Sequence, residues 1–363
     1  GLEGLELTYD RALQAGEDVR LTIDPAFQAA AQSELRATIE AAEAESGSVV
    51  MLEAGSGRIL AAASYPEFDP NQQASFDRNH LLNRAFLYQY EPGSVMKPLV
   101  VAALIEMGRL HPRELIDAEP CRRVGGNTFC DVVSHEPRLE PKDILRVSSN
   151  TAMTHLSERL EPEELHRWLG RFGFGYQPEF SSVLTRPGHV NPWQNWVPQD
   201  QATITIGQSV SVTTLQMAIA YSIIANDGEF VTPYLVEGEQ VPEPYRVLAP
   251  EVAWAVRDMM HYSVDNGGMR VSRIPGLSVA GKTGTADIYD PAQGRYVRGD
   301  YNLSFGGMFP AERPEVIMVV MIEKPRVDTS STYVAAPLFR QIGTRAVAHW
   351  GTAPQPQPLA QQP

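Results

Sequence analysis

The spacing of apolar and polar positions divides the chain into three zones. In the first, Phe27, Ala31, Leu35 and Ile39 recur at i+4 behind Asp24-Pro25, which predicts an amphipathic helix with Asp24 as its cap and Pro25 at its first position. The helix is expected to run to about Glu45 and to stop at Gly47. Ser48 to Glu53 and Arg58 to Ser64 then flank Ala54-Gly55-Ser56-Gly57 and read as two strands joined by a tight turn, ended by Pro66 and Pro70. From about Asp77 to Arg270 the period is mostly helical. Within it, Thr213-x-x-Gln216 forms a capping box ahead of Leu215 to Ile224, a run apolar on nearly all sides and so destined for the interior, ending at Asp227-Gly228. Strands return at Ser278 to Thr285, Tyr301 to Phe305 and Val316 to Ile322, and a last amphipathic helix is expected from about Ala336 to His349. Two strands early and three late predict an α+β fold: one antiparallel sheet of about five strands built from both ends of the chain, flanked by N- and C-terminal helices, with a large helical subdomain inserted over about 77–270.

Composition narrows the function classes. At 363 residues, 43% hydrophobic and 20% charged, the chain can build a large core. A net charge of −14 with a pI near 5.1 argues against nucleic acid or anionic lipid as the main partner. No stretch approaches the roughly 18 apolar residues of a membrane span. Residues 1–20 read as a lead-in without its own core, and 351–363, rich in proline and glutamine, as a disordered tail. Cys121 and Cys130 match no zinc spacing, and no metal site is expected. Gly125-Gly126-Asn127 between them is hairpin chemistry; it allows a disulfide, whose ten-residue ring would contribute about 2.7 kcal/mol, or two free buried thiols. Trp193 and Trp196 could line a groove, but packing is the favoured role and they are left out of the site.

Three stretches carry chemistry. In Glu91-Pro92-Gly93-Ser94-Val95-Met96-Lys97-Pro98, a hydroxyl and an amine lie three residues apart, on one helix face, ahead of the apolar run Leu99 to Ile105. Ser94 is the candidate nucleophile and helix N-cap, with Pro98 the fourth helical residue. Lys97 is the candidate base; burial and a second cation can lower its pKa by the roughly 3 units that requires, about 4 kcal/mol. Alone, the same residues could simply cap a core helix. Ser148-Ser149-Asn150 offers a hydroxyl for proton relay and an amide that both donates and accepts, or a plain helix cap. Lys282-Thr283-Gly284-Thr285 on a predicted strand could hold a carboxylate and let a peptide lie against its edge, or be a lysine-guarded edge strand. Gly276 to Thr283 also satisfies the phosphate-loop pattern, but no helix signal follows Thr283 and no β-α alternation surrounds it, so nucleotide binding is set aside.

Serine-x-x-lysine, serine-x-asparagine and lysine-threonine-glycine, in this order, resemble the motif set of penicillin-binding proteins and related β-lactamases. The chain is similar to the transpeptidase domain of class B, monofunctional penicillin-binding proteins over roughly Asp18 to Ala348, with Leu21 to Pro25, Pro66 to Asn71, Ile206-Gly207-Gln208 and Ala335 to Phe339 resembling the same family. The resemblance implies a transpeptidase domain over 21–350 behind the end of a pedestal module in 1–20, and a penicillin-binding protein/serine β-lactamase-like fold. It implies a peptidoglycan D,D-transpeptidase that cross-links stem peptides ending in D-Ala-D-Ala and is blocked by β-lactams. Ser94, Lys97 and Ser148 would be catalytic; Asn150, Lys282, Thr283, Gly284 and Thr285 would bind substrate; and the backbone N–H groups of Ser94 and Thr285 would form the oxyanion hole. Neither metal nor organic cofactor is implied. A family member works outside the cytoplasmic membrane, held by an N-terminal helix not in this chain, beside a membrane-embedded glycan polymerase. Ser211 to Gln216 and Glu323-Lys324-Pro325 resemble division-type members. A β-lactamase or β-lactam sensor and a D,D-carboxypeptidase are the competing activities. Ser209, where the family usually has glycine, and Val334-Ala335, where it has a glycine pair, depart from the pattern.

Overall fold

The computed structural model describes residues 4–69, 78–178, 183–290 and 292–349; Pro70, Asn71, Asp77 and the expected tail over 351–363 lie outside the described residues. The elements that build the site are, in chain order, α1 (Pro25–Ala42), β1 (Ser46–Glu53), β2 (Ile59–Tyr65), α2 (Lys97–Glu106), β3 (Cys121–Val124), β4 (Asn127–Cys130), α3 (Pro141–Val147), α4 (Asn150–Ser157), α5 (Thr214–Ala225), α6 (Pro250–Asn266), β5 (Ala280–Asp290), β6 (Arg295–Phe309), β7 (Val316–Glu323) and α7 (Ala335–His349). Gly4–Thr8 and Asp10–Gln14 form two short helical turns that bury no residue.

Asp24 caps α1, accepting from the Ala26 and Phe27 N–H groups at 2.8 and 3.1 Å. The helix ends at Ala42, earlier than the composition suggested, because Glu43 turns left-handed (φ 48°) and closes it. Gly47 is therefore no helix stop. It lies inside β1, where a Cβ would sit 2.8 Å from the Met321 carbonyl oxygen and 2.9 Å from Ile39 Cδ1, so glycine lets the strand lie close to α1.

The five strands form one antiparallel sheet in the order β5-β6-β7-β1-β2, so the chain's two ends meet where β1 pairs with β7, Ser46 opposite Glu323 and Glu53 opposite Val316. Both faces are covered. Val49 and Met51 with Val316, Met318, Val320 and Ile322 join the core beneath α1 and α7. Val50 and Leu52 with Ile317, Val319 and Met321 join the core of the helical half. Burial on two faces is why β7 reads as an unbroken apolar run with no alternation. Strands β5 and β6 run longer than their apolar cores, since a hairpin continues through hydrogen-bonded pairs that carry polar side chains.

Helix α5 has the expected capping box: Gln216 N–H donates to Thr213 Oγ1 and Thr213 N–H to Gln216 Oε1, both at 3.1 Å. All twelve of its residues are buried. Each of its buried Leu, Met and Ile side chains contributes about 1.5–3 kcal/mol, which pins α5 at the centre of the fold. From there the Ser48 and Thr214 hydroxyls meet at 2.7 Å, and Tyr221 OH donates to the Val95 carbonyl at 2.9 Å. The sheet and the Ser94 turn are thus referred to one rigid rod.

Candidate active site

Ser94 lies in a short 3-10 turn, Gly93–Met96, that feeds into α2 at Lys97. The expectation of Ser94 as N-cap is corrected here, and Pro98 is the second residue of the α-helix, not its fourth. Tightening the turn brings i and i+3 nearly into register, which places Lys97 over Ser94, with the Lys97 N–H bonded to the Ser94 carbonyl. Gly93 needs its positive φ of 62°, and a Cβ there would meet the Thr285 carbonyl oxygen at 2.7 Å. That contact sets the Ser94 turn against β5. Gly93 N–H donates to the Gly207 carbonyl at 2.9 Å, and Ser94 is one of the first residues of the turn, where N–H groups have no acceptor within the helix.

The Ser148-Ser149-Asn150 stretch joins α3 to α4. Ser148 is left-handed (φ 57°) and closes α3, while Ser149 caps α4 by accepting from Ala152 N–H at 3.0 Å. The capping reading of this stretch holds for Ser149, while the Ser148 and Asn150 side chains face Lys97.

Lys282 to Thr285 lie on β5, the edge strand of the sheet. Thr283 is in mid-strand with no helix after it, the opposite of a phosphate loop. Gly284 has no room for a side chain: a Cβ would lie 2.3 Å from Ser304 Oγ and 2.6 Å from the Pro92 carbonyl oxygen. Thr285 is exposed, its hydroxyl 3.0 Å from that of Ser331. The Thr283 hydroxyl points to Met269 sulfur at 3.7 Å.

The three stretches converge on Ser148. Lys97 Nζ donates to the Ser148 carbonyl at 2.6 Å, to Asn150 Oδ1 at 2.8 Å and to Ser148 Oγ at 3.3 Å. Lys282 Nζ donates to the same Ser148 Oγ at 2.9 Å and to the Thr283 carbonyl at 3.1 Å. Both amines are completely buried, and neither has a carboxylate in ion-pair contact among the described residues. Burial first, and then the charge of Lys282, push the Lys97 amine well below its usual value, against an opposing pull from Asp131. Burial takes Lys282 down to about 7. Burial and the neighbouring Lys282 charge thus both favour the neutral form of the Lys97 amine. The Ser94 hydroxyl, half-buried, makes no hydrogen bond among the described residues, to Lys97 or to any other side chain.

Cys121 and Cys130 are joined by a disulfide that closes the β3-β4 hairpin. The hairpin serves the site. The Cys130 carbonyl accepts from Asn150 Nδ2 at 3.1 Å, and the next residue, Asp131, receives Asn150 N–H at 2.5 Å, Thr151 N–H at 3.1 Å, Ser149 Oγ at 2.6 Å and Thr151 Oγ1 at 2.8 Å, with His135 Nε2 also 2.7 Å away. Burial pushes this carboxyl up, but the hydrogen bonds from Ser149, Thr151 and His135 outweigh it and hold it below the ordinary carboxylate range. Sequence reasoning missed Asp131 and His135. Nothing local marks them, and only their place just beyond the hairpin could have drawn attention. Trp196, for which the sequence favours packing over lining a groove, does both: it packs against the core and lines a cavity with Glu91.

Known proteins resemble this chain over most of its length. The family "Penicillin binding protein transpeptidase domain" matches residues 47–344. The probable peptidoglycan D,D-transpeptidase PbpC of Pseudomonas aeruginosa is 33% identical over 333 residues, 91% of this chain and 58% of that protein. The probable peptidoglycan D,D-transpeptidase PenA of Neisseria gonorrhoeae is 31% identical over 346 residues, 94% of this chain and 58% of that protein. The chain thus spans somewhat under three fifths of these two curated relatives. Among solved structures, penicillin-binding protein 3 of Mycobacterium tuberculosis in complex with ampicillin superposes with a TM-score of 0.87 at 30% identity, covering 94% of this chain and 80% of that one. The transpeptidase domain of Burkholderia pseudomallei penicillin-binding protein 3 gives 0.82 at 27% identity, covering 93% and 98%.

Proposed function

Because the chain belongs to the penicillin-binding protein transpeptidase family, we propose that it is a serine-type peptidoglycan D,D-transpeptidase acting through a Ser94 acyl-enzyme. The observation that carries this is a fully buried Lys97, depressed by burial and by Lys282, one turn from a half-buried serine.

Neutral Lys97 would take the Ser94 proton as the oxygen attacks the carbonyl between the two terminal D-alanines of a stem peptide. The new oxyanion would lie between the Ser94 and Thr285 N–H groups, an electrostatic contribution worth about 3–4 kcal/mol per donor where measured in other enzymes. Ser148, hydrogen-bonded to both amines, would pass the proton to the departing nitrogen, and the C–N bond breaks to release D-alanine. Asn150 would hold the peptide amide; Lys282, Thr283 and Thr285 would bind the terminal carboxylate, with the closely packed Gly284 letting the substrate approach the strand edge. The amine of a neighbouring stem peptide would then attack the ester, form the cross-link and return the proton to Ser94. A β-lactam would acylate the same serine. The resemblance of Ser211 to Gln216 supports a division-type role, in a protein acting outside the cytoplasmic membrane beside a glycan polymerase. No described helix is long and apolar enough to cross a membrane.

A fluorescent penicillin tests the reading. One durable label per chain, absent in Ser94→Ala, is expected. Rapid turnover of the label would instead indicate a β-lactamase, and no labelling would overturn the serine chemistry altogether. Release of D-alanine from a pentapeptide without cross-linked product, in the presence of an amine acceptor, would indicate a carboxypeptidase.

A further inference from the structure

A cavity of about 370 Å³ adjoins the Ser94 turn, lined among others by Glu91, His189, Trp196, Asp200, Tyr289 and Tyr296. Two of these residues tie it to the cleft. Glu91 is three residues before Ser94, at most roughly 10 Å along the chain. Tyr289 is four residues beyond Thr285 on β5, roughly 13 Å along the strand whose edge would guide a peptide.

Glu91 is the feature that asks for a ligand. Its carboxylate accepts from Ser209 N–H at 2.9 Å and from Tyr296 OH at 3.0 Å, yet among the described residues no lysine or arginine pairs with it. Burial pushes it up to about 7, against the Ser209 and Tyr296 hydrogen bonds and with help from the Asp287 charge. A half-hidden carboxylate lacking a counter-ion costs folding energy that an incoming cation would offset. The walls suit such a cation. Asp200 adds a second carboxylate, Tyr289 and Tyr296 stand edge to face at 5.4 Å, and Trp196 offers a third ring, all surfaces that favour an ammonium. The His189 ring nitrogen is engaged with Asn191 Oδ1 at 2.9 Å.

We propose that this cavity is a subsite for a primary amine of the stem peptide, with Glu91 as its counter-ion and Trp196, Tyr289 and Tyr296 as its walls. The inference rests on the transpeptidase reading. The amine has two sources: the side chain of the donor peptide already on Ser94, or the nucleophile arriving from the acceptor peptide.

The experiment compares wild type with Glu91→Gln, which keeps a side chain able to bond Ser209 and Tyr296 but removes the charge. Donors are pentapeptides ending in D-Ala-D-Ala with lysine or Nε-acetyl-lysine at the third position. The acceptor is a lysine-bearing tetrapeptide. If the donor supplies the amine, wild type prefers lysine over acetyl-lysine in kcat/KM by about tenfold, the worth of one partly buried ion pair near 1.4 kcal/mol, and Glu91→Gln erases the preference. If the acceptor supplies it, Glu91→Gln lowers the ratio of cross-linked to hydrolysed product by about tenfold at a fixed acceptor concentration. Should Glu91→Gln fail to fold, Tyr289→Ala removes an exposed wall without touching the carboxylate, and a loss of about threefold in either ratio is expected. Unchanged ratios in a folded variant that still takes up fluorescent penicillin overturn the subsite alone. Absence of labelling in the wild type overturns the transpeptidase reading.

Discussion

Asp131→Asn is the most informative single change. The carboxylate gathers Asn150 N–H, Thr151 N–H and the Ser149 and Thr151 hydroxyls, so it fixes the first turn of α4 from outside the helix. An amide of the same shape keeps one acceptor oxygen but loses the charge and faces the two hydroxyls and His135 with a donor. Hydrogen bonds to a charged group are worth about 1.5–3 kcal/mol against about 1 for neutral ones, so losing that increment over several bonds should cost about 2–4 kcal/mol of stability. The chemistry should suffer as well, because Asn150 and Ser148 hold Lys97, and a displacement near 1 Å can cost up to about 100-fold in rate. Acylation by a fluorescent penicillin is therefore expected to slow by about 10- to 100-fold. Removing the Asp131 charge also removes an upward pull on Lys97, so the acid limb of the rate profile should move to lower pH even as the plateau falls. Stability carries its own sign. A carboxyl held below its unfolded value stabilises above the unfolded pKa near 4 and is lost as pH falls through the folded one, so wild type and variant should converge in stability in acid. An acylation rate within twofold of wild type, with an unchanged denaturation midpoint at pH 7, would refute the reasoning.

Three more outcomes follow from the geometry. With Lys282 at about 7 in the free protein, its charge fades as pH rises through neutrality, so kcat/KM for carboxylate-bearing donors should fall above about pH 7; Lys282→Arg, charged throughout, should flatten that limb in a pH series. Reduction of Cys121–Cys130 should cost about 2.7 kcal/mol by loop entropy and slow acylation several-fold by loosening the carbonyl that orients Asn150, read by denaturation and penicillin labelling with and without dithiothreitol. Gly207→Ala would place a Cβ 2.0 Å from the Gly93 carbonyl oxygen at φ 82°, and should lower stability by roughly 2 kcal/mol or more and slow acylation, whereas Gly238→Ala, also at positive φ but with open space around it, should cost only about 1 kcal/mol and leave labelling intact.

What was legible in the chain was what local rules determine. The Asp24 cap, the β1-β2 hairpin, the capping box of α5 and the interior position of that helix each depend on a few neighbours and were read with near-correct limits. The early and late strands were expected to share one sheet, and they do. The misreadings share a cause. Gly47 looked like a helix stop because its constraint is the backbone of Met321, far along the chain. Ser94 looked like an N-cap because a 3-10 turn and an α-helix start alike, and the difference is set by Gly93 and its contacts with Gly207 and Thr285. Asp131 carried no motif, and its partners on α4 lie 18 to 20 positions away; Glu91 opens the Ser94 stretch, but its partners Ser209 and Tyr296 are 118 and 205 positions distant.

The same division explains why the site is built as it is. A chain of net charge −14 places two completely buried lysine side chains, Lys97 and Lys282, on one serine, with no carboxylate paired to either among the described residues. Local propensity gives no reason for this, and desolvation opposes it. The arrangement persists because α5, the sheet edge and the Asp131-anchored turn over-determine the backbone around it, so the strain falls on the amines and appears as lowered pKa values. Asp131 is close enough to bias Lys97 but spends its hydrogen-bonding capacity on the α4 backbone and hydroxyls. Were it instead to form a direct ion pair with Lys97, the amine would stay protonated and Ser94 would lose its base. The orienting carboxylate must therefore be held one residue beyond the disulfide-closed hairpin, near enough to position Asn150 and too fully occupied to neutralise the lysine that Asn150 holds.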